Sequence, residues 1–164
     1  MGRDKARLRL GEGTMLGQIK ETVSKTGRPF RVIQQDLVPG KGPLGGVYTA
    51  LKTTSHDEVL FLACDMPFVE VEFLNRFFEK NANSRAVFTK CKSRLGFPFL
   101  LSRQILSIVA GQLGTKNLSL NQLAKKVRAK VFTPPPGTEN QLCNVNTPLE
   151  LRLARKTWNH RGGG

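Results

Sequence analysis

An apolar run that ends at a carboxylate is the chemically most suggestive part of this sequence. Residues 59–63 read Val-Leu-Phe-Leu-Ala and are followed by Cys64, Asp65, Met66 and Pro67. Five apolar residues without alternation predict a strand that is buried on both faces of an α/β sheet, and Asp65 falls where that strand leaves the sheet. Open α/β sheets bind ligands beyond the carboxyl ends of their strands, where a carboxylate can hold a divalent metal against a phosphate. The alternative is that Asp65 only opens a turn before the next helix.

Three further segments contain residue types that suit a ligand site, at residues 1–5, 36–46 and 144–148. The first contains Lys5, which can neutralise phosphate charge, although a lysine near a terminus is usually only solvated. The second has Asp36 at the end of a predicted strand and then a glycine-rich turn into a helix, whose free N–H groups favour anions or carbonyl acceptors. The third has two amides two residues apart, Asn144 and Asn146, for which the alternative is simple helix capping.

The elements that must position these residues alternate along the chain. Strands are predicted at residues 30–33, 59–63, 85–89 and 129–132, and residues 97–101 form another short apolar run that leads to a helix. Helices are predicted after Thr14, Gly46, Pro67, Leu101, Ser119 and Thr147. The last of them begins with a capping box formed by Thr147 and Glu150. Strands that alternate with helices favour a mostly parallel sheet, so we predict a Rossmann-like, three-layer α/β sandwich.

Length and composition limit the possible classes of protein. The 164 residues favour one domain, which we predict over residues 1–158 with a disordered tail over residues 159–164. No apolar run approaches the roughly 20 residues of a membrane helix, and no apolar stretch typical of a secretory signal follows Met1. We therefore expect a soluble, cytoplasmic protein, with a monomer favoured. The three cysteines are far apart and form no C-x-x-C pair, which argues against a disulfide framework or a zinc site, so we expect small apolar filler.

The net charge narrows the class of ligand. Lysine and arginine outnumber the acidic residues 26 to 12, which gives a net charge of +14. Such a balance suits nucleotides, phosphorylated small molecules or nucleic acid. The charge is dispersed, however, and one Trp and one Tyr supply a poor stacking platform for single strands. The charge therefore narrows the class of ligand without identifying one, and we expect neither nucleic acid nor a membrane as a partner.

Taken together, the four segments resemble the molybdenum cofactor guanylyltransferases of the nucleotidyltransferase superfamily. The matching motifs are M-G-x-D-K at residues 1–5, an Asp before G-P-L-x-G at residues 36–46, C-D-x-P at residues 64–67 and N-x-N-T-P at residues 144–148. The resemblance spans nearly the whole chain, and the motifs are specific as a set. It implies a Mg²⁺-dependent transfer of GMP from GTP to the terminal phosphate of molybdopterin, with pyrophosphate leaving.

The resemblance also implies a role for each matching residue. Lys5 would contact the triphosphate and Asp65 would coordinate Mg²⁺, so these two would be catalytic. Asp36 would bind the nucleotide near the guanine or ribose, while Asn144 and Asn146 would lie on the pterin side. The wall around the guanine would be formed by Gly42, Pro43, Leu44, Gly45 and Gly46. No general base is assigned, because attack by a phosphate oxygen needs in-line positioning and charge neutralisation rather than a nucleophilic side chain.

Two departures from the family pattern bear on activity. The family's opening strand and glycine-rich loop have no counterpart here, because Met1 matches a methionine inside that motif. We therefore expect the first strand of the sheet to be absent, with roughly 15 residues missing by the length of the motif plus one ordinary strand. A wrongly assigned start, a trimmed chain or a natural inactive remnant would each account for this. The segment between Lys20 and Phe30 is also too short for the extra strand and helix usual in the family.

Three alternatives stand beside the guanylyltransferase. A molybdopterin cytidylyltransferase, or another nucleotidyltransferase of the superfamily, would share these motifs, although residues 36–46 resemble the guanylyl branch more. A non-catalytic molybdopterin-binding remnant would keep the site without turnover. A basic nucleic-acid-binding domain is suggested by the net charge and opposed by the scarcity of Trp and Tyr.

Overall fold

The computed structural model describes residues 8–91 and 93–161. In this part of the chain the strands and helices are β1 (Arg9–Leu10), β2 (Gly13–Thr14), α1 (Met15–Ser24), α2 (Pro43–Thr53), β3 (Glu58–Phe61), α3 (Val71–Asn81), β4 (Ala86–Cys91), β5 (Arg94–Ser102), α4 (Leu106–Leu113), α5 (Leu120–Lys126), β6 (Lys130–Phe132) and α6 (Pro148–Arg161). Two short 3-10 helices cover Arg103–Ile105 and Glu139–Leu142. The predicted α/β class is confirmed.

The chain divides into two compact units. Unit 1 comprises the described residues up to Phe30, the segment Ala63–Phe77 and the described residues from Pro136 onward. Unit 2 comprises Arg31–Leu62 and the described residues within Phe78–Pro135. Asp65, Asn144 and Asn146 therefore belong to unit 1, and the residues from Asp36 to Gly46 belong to unit 2. The single domain predicted over residues 1–158 stays a prediction.

Unit 2 contains a four-stranded sheet in the order β3-β5-β4-β6. Strand β5 runs antiparallel to both of its neighbours, whereas β4 and β6 are parallel. Three of the four described strands therefore run in one direction, and one of the three pairings is parallel, so the described sheet is mixed. A register shift between Phe88 and Thr89 leaves Phe97 and Pro98 without partners in β4, and the buried Thr89 hydroxyl donates a hydrogen bond of 2.5 Å to the Pro98 carbonyl.

The core of unit 2 lies against one face of this sheet. Phe61, Phe99 and Phe88 stand side by side across β3, β5 and β4, with ring centroids 4.9 and 4.6 Å apart. Leucine and valine side chains of α2, α4 and α5 pack on them. Val87 and Leu100, which alternate with these phenylalanines, are also fully buried. The two central strands are thus covered on both faces, which is typical of the layered α/β class.

Two predictions about strands are wrong. Strand β3 was expected to be buried on both faces, but each of its four residues is half-buried, because within the described sheet β3 is an edge strand paired only with β5. Residues 30–33 form no strand, and Phe30 is 45% exposed. Three or four apolar residues become a strand only when a neighbour supplies the ladder of hydrogen bonds, and the described chain offers residues 30–33 none.

Unit 1 is built on the hairpin of β1 and β2 and on helices α1 and α6. Its core joins Leu10, Met15, Phe68, Val145, Leu151 and Ala154, with Trp158 packed against them. The hairpin turns at Gly11, whose φ is +59°, and a Cβ there would lie 2.5 Å from Nε1 of Trp158. Glycine at this position therefore allows both the turn and the close approach of the C-terminal helix.

Local signals in the sequence predicted the helix caps correctly. The Thr14 hydroxyl accepts from the Gly17 N–H at 3.0 Å at the start of α1. The Ser119 hydroxyl accepts from the Gln122 N–H at 3.2 Å at the start of α5. Each bond satisfies one of the N–H groups that a helix leaves free at its N-terminus.

The three cysteines are free thiols, as predicted. Cys64 and Cys91 are half-buried, but Cys143 is exposed, so the prediction of an apolar filler is wrong for Cys143. Its neighbours Leu142 and Val145 turn inward instead. Within the described ranges, no helix combines the length and the apolar composition needed to cross a membrane.

Candidate functional site

Asp65 lies in a turn of unit 1 that is followed by buried residues. Strand β3 ends at Phe61, and the chain passes through an irregular stretch to the turn at Cys64 and Asp65. Met66 and Phe68 are buried, while the Asp65 residue itself is half-buried. Asp65 therefore follows the end of β3 by four residues, and its role in the site stays a prediction.

The two predicted asparagines lie next to this turn. The Val145 N–H, between Asn144 and Asn146, donates a hydrogen bond of 2.8 Å to the Asp65 carbonyl. Val145 is buried in the core of unit 1, whereas both asparagines are exposed. The structure thus brings the Asp65 turn next to the segment that carries Asn144 and Asn146, although the two are far apart in the sequence.

A capping box fixes the end of the segment that carries the asparagines. Oε2 of Glu150 accepts hydrogen bonds from the N–H groups of Asn146 and Thr147, at 2.7 and 2.8 Å. The Thr147 hydroxyl accepts in turn from the Glu150 N–H at 3.2 Å. The predicted capping box is confirmed, and it also holds the backbone of Asn146, which the simple form of the motif does not require.

One positioning contact in unit 1 was missed by the sequence analysis. The side chain of Gln141 forms two hydrogen bonds with Glu70, one to its backbone N–H and one to its carboxylate. The two residues are 71 positions apart. A Gln and a Glu with no shared motif give no signal in a single sequence, so only the fold reveals the pair.

In unit 2 the carboxylate of Asp36 packs against the first turn of α2. A Cβ on Gly45 would lie 2.6 Å from Oδ2 of Asp36 and 3.0 Å from the carbonyl oxygen of Val38. A Cβ on Gly46 would lie 3.5 Å from Oδ1 of Asp36, which is an ordinary contact. Gly45 therefore provides the space that Asp36 occupies, and a negative charge beside a helix N-terminus is favourable.

Thr49 is a second contact that the sequence analysis missed. Its buried hydroxyl accepts from the Leu37 N–H at 2.9 Å and donates to the Gly45 carbonyl at 2.9 Å. Because Leu37 follows Asp36, this hydroxyl ties the segment that carries the carboxylate to the interior of α2. A threonine on the inward face of a helix was the available signal, but its partner could not be inferred.

The other members of the predicted guanine wall differ in exposure. Gly42 is the N-cap of α2 with a φ of +54°, and Pro43 is the first helical residue. Both are exposed, whereas the side chain of Leu44 is fully buried in the core of unit 2. Leu44 can therefore reach a ligand only through its backbone. Residues 1–5, with Lys5, lie outside the described residues.

The Asp65 carboxylate suits Mg²⁺ better than a transition metal, because it supplies oxygen donors and Mg²⁺ prefers oxygen ligands. The described residues contain no group of three or more His, Cys, Asp or Glu side chains that could hold a metal by themselves. Mg²⁺ sites in nucleotide enzymes commonly use one or two carboxylates, with substrate phosphates and water as the remaining ligands. The residues present therefore fit a magnesium ion that arrives with a nucleotide.

Comparison with known proteins identifies the family of this fold. A family model for the MobA-like NTP transferase domain matches residues 1–130. The match contains Asp36, residues 42–46 and Asp65, but it ends before the two asparagines.

Two curated relatives extend the comparison. A probable molybdenum cofactor guanylyltransferase of Flavobacterium johnsoniae is 30% identical over 118 residues, which cover 71% of this chain and 62% of the relative. A molybdenum cofactor guanylyltransferase of Syntrophotalea carbinolica is 30% identical over 149 residues, which cover 83% of this chain and 66% of the relative. The chain thus spans a little less than two thirds of each relative's length.

A solved structure agrees on the fold. The molybdopterin-guanine dinucleotide biosynthesis protein A of Archaeoglobus fulgidus superposes with a TM-score of 0.70 at 18% identity, covering 97% of this chain and 92% of that protein. The shared fold, the matched residues 1–130 and the two relatives give one answer: this chain belongs to the family of the MobA-like NTP transferase domain.

Proposed function

We propose that this chain transfers GMP from GTP to the terminal phosphate of molybdopterin and releases pyrophosphate. The observation that carries the proposal is the 2.8 Å bond between the Val145 N–H and the Asp65 carbonyl, which joins a carboxylate turn to a pair of exposed amides. These are the two late motifs of the family, and they are neighbours in this fold. The names of the two relatives at 30% identity support the same reaction.

Each part of the candidate site has a role in this proposal. Asp65 would hold Mg²⁺, which when bound neutralises charge on the triphosphate. Asp36, with the backbone of residues 42–45, would bind the guanine or ribose. Asn144 and Asn146 would bind the pterin side of the acceptor, and Lys5 would contact the triphosphate.

The chemistry needs no nucleophile from the protein. An oxygen of the acceptor's terminal phosphate attacks the α-phosphorus of GTP, and a new phosphorus–oxygen bond forms there. The bond from the α-phosphorus to the bridging oxygen breaks, and pyrophosphate leaves with that electron pair. The protein contributes alignment of the two phosphates and compensation of their charge, which are effective in a site that excludes water.

The proposal extends to partners and location. The substrates are two small molecules, GTP and molybdopterin, and the protein acts as a cytoplasmic monomer. Residues 1–158 would form the nucleotidyltransferase-like domain that binds both.

Calorimetric titration with GTP and with CTP, each in the presence of Mg²⁺, tests the choice of nucleotide. GTP should bind more tightly than CTP, and chromatography should then detect the guanine dinucleotide product when molybdopterin is added. Tighter binding of CTP would favour a cytidylyltransferase instead. Affinity for molybdopterin but for neither nucleotide would favour a non-catalytic remnant. Salt-dependent DNA binding without nucleotide affinity would favour a nucleic-acid-binding domain.

A further inference from the structure

We propose that Glu70 and Gln141 are a positioning pair that holds the asparagine loop, residues 143–147, against the Asp65 turn and so sets the affinity for the acceptor substrate. The inference rests on the proposed function for the identity of the acceptor. Its structural part, the holding of the loop, can be tested without turnover.

The pair is reciprocal. The Glu70 backbone N–H donates to Oε1 of Gln141 at 3.2 Å, and Nε2 of Gln141 donates to Oε2 of Glu70 at 2.6 Å. The first bond needs an acceptor and the second needs a donor, so a side-chain amide is the group that satisfies both. Gln141 is 8% exposed, and the bond to a carboxylate is stronger than one between neutral groups.

The pair and the bond between Val145 and Asp65 link the same two segments. Residues 65–70 and 141–145 are joined at one end by Gln141 and Glu70, and at the other end by Val145 and Asp65. Phe68 of the first segment and Val145 of the second also pack in one apolar cluster. Two separated cross-links fix both the distance and the relative rotation of the segments, whereas one bond would fix only the distance.

The arrangement leaves the asparagine side chains exposed on a fixed backbone. Glu150 holds the far side of the loop through the N–H groups of Asn146 and Thr147. The loop is therefore attached before, within and after the two asparagines. A rigid backbone with exposed amides loses less conformational entropy when a ligand binds, which favours affinity. Loss of the Glu70–Gln141 pair should therefore weaken acceptor binding and leave nucleotide binding nearly unchanged.

An exchange of the two side chains provides the sharpest test. Gln141→Glu alone removes the donor and opposes two carboxylates, so both segments should separate. The double variant Glu70→Gln with Gln141→Glu restores both bonds, because the carboxylate introduced at position 141 accepts from the backbone N–H of residue 70 and from the amide introduced there. Glu139→Gln is the matched control, since it alters an exposed carboxylate two residues away from the pair.

The first measurement is hydrogen exchange of the Val145 amide, which needs no substrate. Exchange should be about tenfold faster in Gln141→Glu, and the double variant and the control should match the unaltered chain. Unchanged exchange in Gln141→Glu would overturn the proposal. Glu70→Gln alone keeps both bonds without the charge. Exchange of its Val145 amide should be slower than in Gln141→Glu and faster than in the unaltered chain, so this variant tests the pair if Gln141→Glu fails to fold.

The second measurement is steady-state kinetics with GTP and molybdopterin. In Gln141→Glu, KM for molybdopterin should rise about tenfold, while KM for GTP should change less than about twofold. In the double variant, KM for molybdopterin should return to that of the unaltered chain. Equal increases in both KM values would overturn the positioning role and leave a merely structural one. Absence of turnover in the unaltered chain would contradict the proposed function, while the exchange of Val145 would still decide whether the pair holds the loop.

Discussion

The turn at Asp65 and the segment at Asp36 are attached to their units in different ways. Asp65 is fixed by bonds to residues far along the chain, such as the one from Val145. Asp36 is fixed by residues close in sequence, through the space at Gly45 and the hydroxyl of Thr49 beside it. The first arrangement depends on the folded core of unit 1, whereas the second is nearly complete once α2 has formed. Changes near Asp65 should therefore act over a longer range than changes near Asp36.

The largest effect is expected at Asp65 itself. Asp65→Asn keeps the shape of the side chain and removes its charge, so Mg²⁺-dependent turnover should fall about 10³-fold with the fold retained. Glu72→Gln is the control, because Glu72 is a carboxylate in the first turn of α3, outside the candidate site. Product formation at fixed Mg²⁺ measures the turnover, and circular dichroism shows whether the fold is retained. Turnover within about threefold of the unaltered chain would remove Asp65 from the metal site.

The next effect tests the local attachment of Asp36. Gly45→Ala adds a Cβ that must displace the Asp36 carboxylate, so affinity for GTP should fall about tenfold. Because the change acts through Asp36, it should have no further effect in an Asp36→Ala background. Calorimetric titration of the single and double variants measures this coupling, and additive losses would contradict it.

Gly46→Ala supplies the stability control for that change. Its Cβ would meet only an ordinary contact, so the gain in helix propensity of up to about 1 kcal/mol should appear in the free energy of unfolding. Lower stability in urea unfolding would show that the first turn of α2 is more crowded than the distances indicate.

An effect on stability alone is expected from the hydroxyl inside α2. Thr49→Val leaves the Leu37 N–H without its acceptor, so the free energy of unfolding should fall by about 1–2 kcal/mol. Thr53→Val is the matched control one turn later. The Thr53 hydroxyl donates to the Thr49 carbonyl and accepts from Arg31, but the residue is exposed, so water can replace these bonds and the loss should cost about 0.5 kcal/mol or less. Urea unfolding of both variants gives the difference. Equal costs would mean that the Thr49 hydroxyl does not hold the Asp36 segment.

The smallest effect is expected at the capping box of α6. Glu150→Ala frees the N–H groups of Asn146 and Thr147 to water, at a cost of about 1 kcal/mol or less in unfolding free energy. Arg152→Ala is the control on the same helix, and its cost should be near zero. A cost well above that of Thr49→Val would mean that the asparagine loop depends more on this cap than on its bonds to Asp65 and Glu70.

Sequence reasoning succeeded wherever the cause of a feature was local. The caps at Thr14 and Thr147 depend on residues three positions away, so a short pattern was enough to predict them. The Asp65 turn followed from an apolar run with Pro67 after it. The family motifs then indicated which distant segments belong to one site, and the bond from Val145 to Asp65 agrees for one pair of them.

Reasoning failed where the neighbour of a segment decided the outcome. An apolar run predicts that residues 59–63 are buried. It does not indicate which strand will lie beside β3, or whether β3 is paired along both of its edges. The Phe30 segment has strand-forming residues and no partner strand in the described chain. The Phe30 segment has a pattern that predicts a strand which does not form. The Glu70–Gln141 pair is the reverse, because the contact forms and no sequence pattern predicts it.

The strand order of unit 2 has a consequence for synthesis on the ribosome. Within the described residues β3 pairs only with β5, and β5 begins at Arg94, well after β3 has ended at Phe61. At translation speeds of about 5–20 residues per second, the nascent apolar segment waits several seconds before its hydrogen-bonding neighbour is made. During that interval its open N–H and C=O groups can associate with other unfinished chains, so expression at low temperature or with a chaperone that covers apolar segments should improve the yield of folded protein.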